Sequence, residues 1–152
     1  MKDTRTTVAE SPEDPLLGSI VSPSRTRGKV AVMKKLVLLA EDQPDIREMM
    51  RILLQGYGYD VVQAADGYEA VKLALEHSPD MILMDMAMPV LDGLDSVRTM
   101  RRHEELAKVP IVAVTAFGDF YNQRALDAGC TYVLHKPLDF EKLRPIVQSY
   151  LE

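Results

Sequence analysis

Cysteine occurs once in the 152 residues, at Cys130, and tryptophan not at all. One thiol cannot close an internal disulfide, so nothing points to an oxidising compartment, and Cys130 reads as a small buried apolar residue. Long apolar runs are missing as well: no stretch approaches the roughly 18 apolar residues that cross a bilayer, and Met1 to Glu10 lacks the hydrophobic core of a secretion signal. The expected location is the cytoplasm. Positive charge is in deficit, with 18 Lys and Arg against 23 Asp and Glu for a formal net charge of -5. That balance repels nucleic acid and anionic lipid surfaces, so neither nucleic acid nor membrane is an expected partner. A glycine-rich phosphate loop and a dinucleotide fingerprint are both lacking, which leaves nucleotide hydrolysis and hydride transfer without support.

What is present is one domain's worth of chain, 47% hydrophobic, enough to bury a core. Residues 1–33 hold 8 Ser or Thr and 3 Pro, mixed charges and no sustained period, and read as a disordered extension. Arg25, Arg27, Lys29, Lys34 and Lys35 give its end a weak attraction to acidic partners. Met33 stands directly before the first ordered element and is a candidate translation start, which the intact mass of the native protein decides.

From Lys35 onward short apolar runs alternate with amphipathic stretches, a βαβα rhythm. Leu36 to Leu39, Tyr59 to Val62, Met81 to Met84, Ile111 to Val114 and Tyr132 to Leu134 read as buried parallel strands. Five helices lie between and after them. The first carries Ile46, Met49, Met50, Leu53 and Leu54 on one face and is expected to stop at Gly56 in a left-handed turn. The second turns Ala70, Val71, Ala74 and Leu75 inward, the third Leu94, Val97 and Met100. The fourth runs from near Asp119 to Gly129 with Ala125 and Ala128 inward. The last follows Asp139, a good N-cap, with Phe140, Leu143, Val147, Tyr150 and Leu151 on one face; Pro145 should kink it or delay its start. The methionines fall at helical spacing and read as core filler. The expected fold is α/β, a doubly wound five-stranded parallel sheet of flavodoxin-like order 2-1-3-4-5 with helices on both faces, whose ligand site lies beyond the carboxyl ends of the strands.

The residues at those ends carry chemistry. Glu41 and Asp42 follow the first strand, Asp85 the third, Thr115 the fourth, and Lys136 with Pro137 the fifth. Each alone has an ordinary explanation, since acids cap helices, Thr pairs locally and Lys is usually solvated. Together, on strands that are neighbours in that order, they would converge on one pocket. Three carboxylates repel unless a cation joins them, and a hard oxygen cluster suits Mg²⁺ better than zinc or copper. A carboxylate aimed at a bound metal, with an ammonium and a hydroxyl to hold anionic oxygens, is what accepting a phosphoryl group on Asp85 requires.

Glu41-Asp42, the run from Asp85 through Met88-Pro89 to Asp92-Gly93, Thr115-Ala116 and Lys136-Pro137 resemble the four signatures of response-regulator receiver domains, a resemblance that covers residues 35 to 152. It implies a CheY-like fold over 34–152 and two-component or phosphorelay signalling. Asp85 would accept phosphate from a sensor histidine kinase or a histidine phosphotransfer protein. Asp42 and Asp85 would ligate Mg²⁺, Glu41 would assist through water, and the backbone carbonyl of Ala87 would complete the metal set. Thr115 and Lys136 would grip the phosphoryl oxygens. Pro89 and Gly93 would let the loop turn tightly enough to present that carbonyl. The protein would then be no enzyme in the ordinary sense but a phosphoacceptor that assists its own Mg²⁺-dependent phosphorylation and dephosphorylation. Because the chain stops at Glu152, right after the fifth helix, output is expected through a downstream protein target. Partner surfaces would be the first helix and the face formed by the fourth helix, fifth strand and fifth helix.

Three positions depart from the pattern or qualify it. The family usually has Tyr or Phe three residues before the lysine, where this chain has Val133; Tyr132, one step earlier, should point to the opposite face. The residues two beyond Asp85 and Thr115 are Ala87 and Phe117, neither able to activate water, so the phosphoryl group is expected to hydrolyse slowly. A haloacid-dehalogenase-type phosphatase, the enzymatic alternative, needs a second Asp where Ala87 stands and its nucleophile on the first strand. A phosphorylation-independent docking module is the nonenzymatic alternative.

Overall fold

A computed structural model describes residues 33–152. The extension expected over 1–33 lies, Met33 apart, outside the described residues, as do Arg25, Arg27 and Lys29. The strands are β1 (Leu36–Ala40), β2 (Asp60–Ala64), β3 (Met81–Asp85), β4 (Ile111–Thr115) and β5 (Tyr132–His135). The helices are α1 (Pro44–Gly56), α2 (Gly67–His77), α3 (Gly93–Arg101), α4 (Phe120–Ala128) and α5 (Phe140–Leu151), with a 3₁₀ turn over Glu104–Leu106. All pairings are parallel, in the order β2-β1-β3-β4-β5. The expected fold class is therefore the one formed.

β1, β3 and β4 are buried along their whole length, as near-continuous Val, Ile, Leu and Met runs must be when both sheet faces are covered. On one face Ala70 and Ala74 of α2, Leu94, Val97 and Met100 of α3 and Tyr121, Ala125 and Ala128 of α4 form a single core, with Cys130 inside it. On the other, Met50 and Leu54 of α1 pack with Leu143, Val147 and Leu151 of α5. Each large buried side chain among these contributes roughly 1.5–3 kcal/mol relative to exposure. Within α1 the apolar face is only half covered: Met49 stays 42% exposed while Ile46 and Leu53 are partly buried.

Four of the five helix starts have a local cause: a proline in the first turn of α1 and aspartate caps on α2, α3 and α5, whereas Asp119 makes no cap bond to α4. Pro44 sits in the first turn of α1, where its missing N–H costs nothing. Asp66 accepts from Glu69 N at 2.8 Å, Asp92 from Asp95 N at 2.9 Å and Asp139 from Glu141 N at 2.9 Å.

Three local expectations are corrected. α1 includes Gly56 and is capped by Tyr57 in a right-handed conformation; the positive φ, 102°, falls on Gly58, which is the residue that needs a missing Cβ. Pro145 does not delay α5, which begins at Phe140 and contains it; the proline withdraws one donor beyond the first turn, and packing of Leu143, Val147 and Leu151 outweighs that loss. Finally, β1 and β3–β5 run one residue further than expected and β2 two, so Asp85 and Thr115 are the last residues of their strands rather than the first beyond them. Backbone bonds such as Met86 N to Val114 O at 3.0 Å and Lys136 N to Thr115 O at 2.8 Å continue the ladder past the last apolar residue.

Candidate functional site

The carboxyl ends of β1 and β3 bring Glu41, Asp42 and Asp85 together, with one oxygen of each within 4.8 Å of the others. Glu41 and Asp85 are 2% and 4% exposed, and Asp42 is half-buried. From β5, Lys136 reaches across so that its Nζ donates to Asp85 Oδ2 at 3.1 Å. The other oxygen, Asp85 Oδ1, accepts from Ala87 N at 3.0 Å. Thr115 ends β4, 1% exposed, with its Oγ1 accepting from Phe117 N at 2.9 Å.

Charge is unbalanced here. Among the described residues three carboxylates face one ammonium, because the nearby Arg47 guanidinium donates instead to the backbone oxygen of Glu41, at 2.8 Å. Glu41 registers the imbalance: burial, reinforced by Asp85 and Asp42, pushes its carboxyl up to about 7 against the opposing pull of a hydrogen bond from Gln43 N and of Lys136. An oxygen-only donor set carrying an excess of negative charge fits a hard divalent cation such as Mg²⁺.

The loop after β3 is shaped by close packing. A Cβ on Gly93 would lie 2.6 Å from Met86 Cα, and one on Gly67, at the start of α2, 1.7 Å from the carbonyl oxygen of Leu91. The buried Ser96 hydroxyl donates to Asp92 O at 2.8 Å. Val90, 79% exposed, is held at φ 72°, the left-handed region that a β-branched residue avoids. Pro89 O accepts from Leu91 N at 2.8 Å, closing the turn. The tight turn expected around Pro89 and Gly93 is thus present, and Gly93 is required by the space against Met86.

Sequence reasoning missed Arg47, Gly67 and His135. Arg47 and His135 act on backbone oxygens, Glu41 O and Phe117 O, and no pattern of side-chain types announces a backbone partner. Gly67 stands one residue after the cap Asp66, where a helix-start glycine reads as unremarkable punctuation.

Five parallel strands in this order, with an acidic cluster and a lysine at their carboxyl ends, define a receiver of two-component signalling. The chain belongs to the response regulator receiver domain family, whose model matches residues 37–148. A curated relative, the polar-differentiation response regulator DivK of Brucella ovis, is 36% identical over 122 residues, 78% of this chain and 98% of its own. Among solved structures, the receiver domain of sensor histidine kinase PA1611 from Pseudomonas aeruginosa PAO1, with magnesium coordinated in its active-site cleft, is 37% identical at a TM-score of 0.71, covering 78% of this chain and 98% of that one. A co-crystal of the Saccharomyces cerevisiae histidine phosphotransfer signaling protein Ypd1 with the receiver domain of its downstream response regulator Ssk1 matches at 27% identity and a TM-score of 0.73, covering 78% and 89%. Among the described residues no helix is long and apolar enough to cross a membrane.

Proposed function

We propose that residues 34–152 form a phosphoacceptor receiver in which Asp85 takes a phosphoryl group from a phosphohistidine on a sensor histidine kinase or a histidine phosphotransfer protein. The observation that carries this reading is the setting of one buried carboxylate: Asp85 is gripped by Lys136 Nζ at 3.1 Å on one side and faces Glu41 and Asp42 on the other. In the transfer an Asp85 oxygen forms the new P–O bond as the P–N bond to imidazole breaks, and the released ring nitrogen keeps the electron pair and takes up a proton.

Glu41, Asp42, Asp85 and the Ala87 carbonyl would hold Mg²⁺, which when bound neutralises charge on the phosphoryl oxygens. Lys136 then leaves Asp85 Oδ2 for an oxygen of the transferred group, and the Thr115 hydroxyl binds another. The magnesium in the cleft of the PA1611 receiver and the phosphotransfer partner of the Ssk1 receiver support this choice of ion and donor. Donor docking on α1 is favoured by the half-uncovered Met49 and the exposed Ile52; output to a downstream protein is favoured on the α4–β5–α5 side by exposed Phe120 and Tyr132. A phosphatase of the dehalogenase type is disfavoured, because Ala87 stands where it needs an acid and Asp85 ends the third strand.

Incubation with a purified histidine phosphotransfer protein charged with radiolabelled phosphate tests the donor class. Label should pass to the wild-type chain with Mg²⁺ and not to Asp85→Asn or in chelator. Label passing equally to Asp85→Asn contradicts the assignment, and partner capture that is indifferent to phosphate favours the docking-module reading.

A further inference from the structure

At position 133, three residues before Lys136, the chain has a valine, which packs into the core on the α2–α3–α4 face of the sheet. Leu134 packs into the opposite core, and strand alternation places the exposed Tyr132 on Leu134's face. Position 133 thus offers only a small aliphatic group on the α4 side of the sheet, and the one aromatic residue of β5 stands on the other side. A mechanical connection between Asp85 and the surface around α4 therefore has to run through other groups.

The loop joining β4 to α4 supplies them. The peptide of Phe117 is held on both sides: its N–H donates to Thr115 Oγ1 at 2.9 Å, and its carbonyl oxygen lies 3.1 Å from His135 Nδ1. A carbonyl only accepts, so Nδ1 carries the proton in this contact. His135 is the register partner of Thr115 in the β4–β5 pairing, which puts both holders on the same face of neighbouring strands. The Phe117 ring rests on Tyr121, ring centroids 4.8 Å apart, and Tyr121 is buried against the sheet. Asp119 Oδ1 stands 3.7 Å from His135 Nε2, beyond hydrogen-bond reach, and its side chain is 98% exposed, so the ring is held by the Phe117 carbonyl and not by this carboxylate.

We propose that His135 is a positioning residue for phosphate-dependent signalling: it tethers the Phe117 carbonyl, and the β4–α4 loop pivots on that tether when Thr115 releases the Phe117 N–H to bind a phosphoryl group on Asp85. The proposal rests on the phosphoacceptor reading above. One hydroxyl oxygen that turns toward Asp85 cannot keep its place as acceptor for Phe117 N–H. The freed end of the peptide moves, the tethered end stays, and the displacement passes to Phe117 and the α4 residues stacked on it.

Nuclear magnetic resonance of the full chain with Mg²⁺ and beryllofluoride, a tetrahedral mimic of the phosphoryl group, tests this. In wild type the ¹⁵N signal of His135 Nδ1 should be of the protonated kind with and without the mimic, and the mimic should shift the amides of residues 117–121 as one set. His135→Ala and His135→Phe, which lack the donor, should bind the mimic within about 2-fold of wild-type affinity by ¹⁹F signal yet show less than half of that displacement. His135→Asn, whose amide nitrogen occupies the place of Nδ1, should restore at least half. Unchanged β1–β3 amides verify the fold of each variant. Full wild-type displacement in His135→Ala overturns the tether while leaving the acceptor intact, whereas absence of any Asp85-dependent bound fluorine signal in wild type overturns both.

Discussion

Lys136 Nζ and Asp85 Oδ2 meet at 3.1 Å although 51 positions separate them in the chain. Asp85 is buried and shares its surroundings with two further carboxylates, so the ammonium offsets repulsion that would otherwise oppose folding. Lys136→Ala should lower the unfolding free energy of the metal-free protein by roughly 1–3 kcal/mol, with part of the loss recovered on adding Mg²⁺. Urea unfolding measures it. A change within about 0.5 kcal/mol, typical of a solvated surface lysine, would show that the pair carries no structural weight.

Glu41 sets a pH dependence of definite sign. Its folded value of about 7 lies above the ordinary 4.5, so in that window the native protein holds a proton that the unfolded chain has released. The resulting contribution to stability is complete below 4.5 and is lost as pH rises through 7, on the order of 1–3 kcal/mol in all. Metal-free wild type should lose stability between pH 5 and about 7 relative to Glu41→Gln, and saturating Mg²⁺ should remove the difference by favouring the carboxylate. Parallel pH profiles for the two metal-free proteins would refute the assignment.

Gly67 and Gly56 make a controlled pair. A methyl group at Gly67 would press on the Leu91 carbonyl from 1.7 Å, whereas at Gly56 nothing lies within 4 Å. Gly67→Ala should destabilise by about 1–3 kcal/mol or more and weaken Mg²⁺ binding several-fold, since Leu91 belongs to the loop after β3 in which Ala87, the residue proposed to offer its carbonyl, also stands. Gly56→Ala should be neutral or stabilising by up to about 1 kcal/mol. Calorimetric Mg²⁺ titration of both variants checks this, and an unchanged affinity in Gly67→Ala would separate the α2 start from the metal loop.

Neither Ala87 nor Phe117 offers a group that can orient or deprotonate an attacking water. The phosphorylated protein should therefore lose its label slowly, and Ala87→Asn should speed the loss several-fold, followed as decay of labelled protein after donor removal. A fast wild-type rate that Ala87→Asn leaves unchanged would contradict the account.

Much of this was readable from residue order. The strands announced themselves as apolar runs, and the acids, Thr115 and Lys136 stood at their ends because a parallel sheet places chemistry there. Glu41, Asp42, Asp85 and Lys136 do converge, while Thr115 holds the Phe117 amide at the neighbouring strand end. Element ends were less legible. Ladder hydrogen bonds carried β3 and β4 onto Asp85 and Thr115, the left-handed turn moved from Gly56 to Gly58, and α5 absorbed Pro145 because three buried side chains outweigh one lost donor. The 3₁₀ turn at Glu104–Leu106 has a single buried residue, Leu106, too little for a periodic signal.

The acceptor itself is tested most directly by incubating the protein with Mg²⁺ and a small phosphodonor such as acetyl phosphate and weighing it intact. The account predicts a gain of one phosphoryl group by wild type and none by Asp85→Asn. An equal gain by Asp85→Asn, or none by wild type with Mg²⁺ bound, would contradict it.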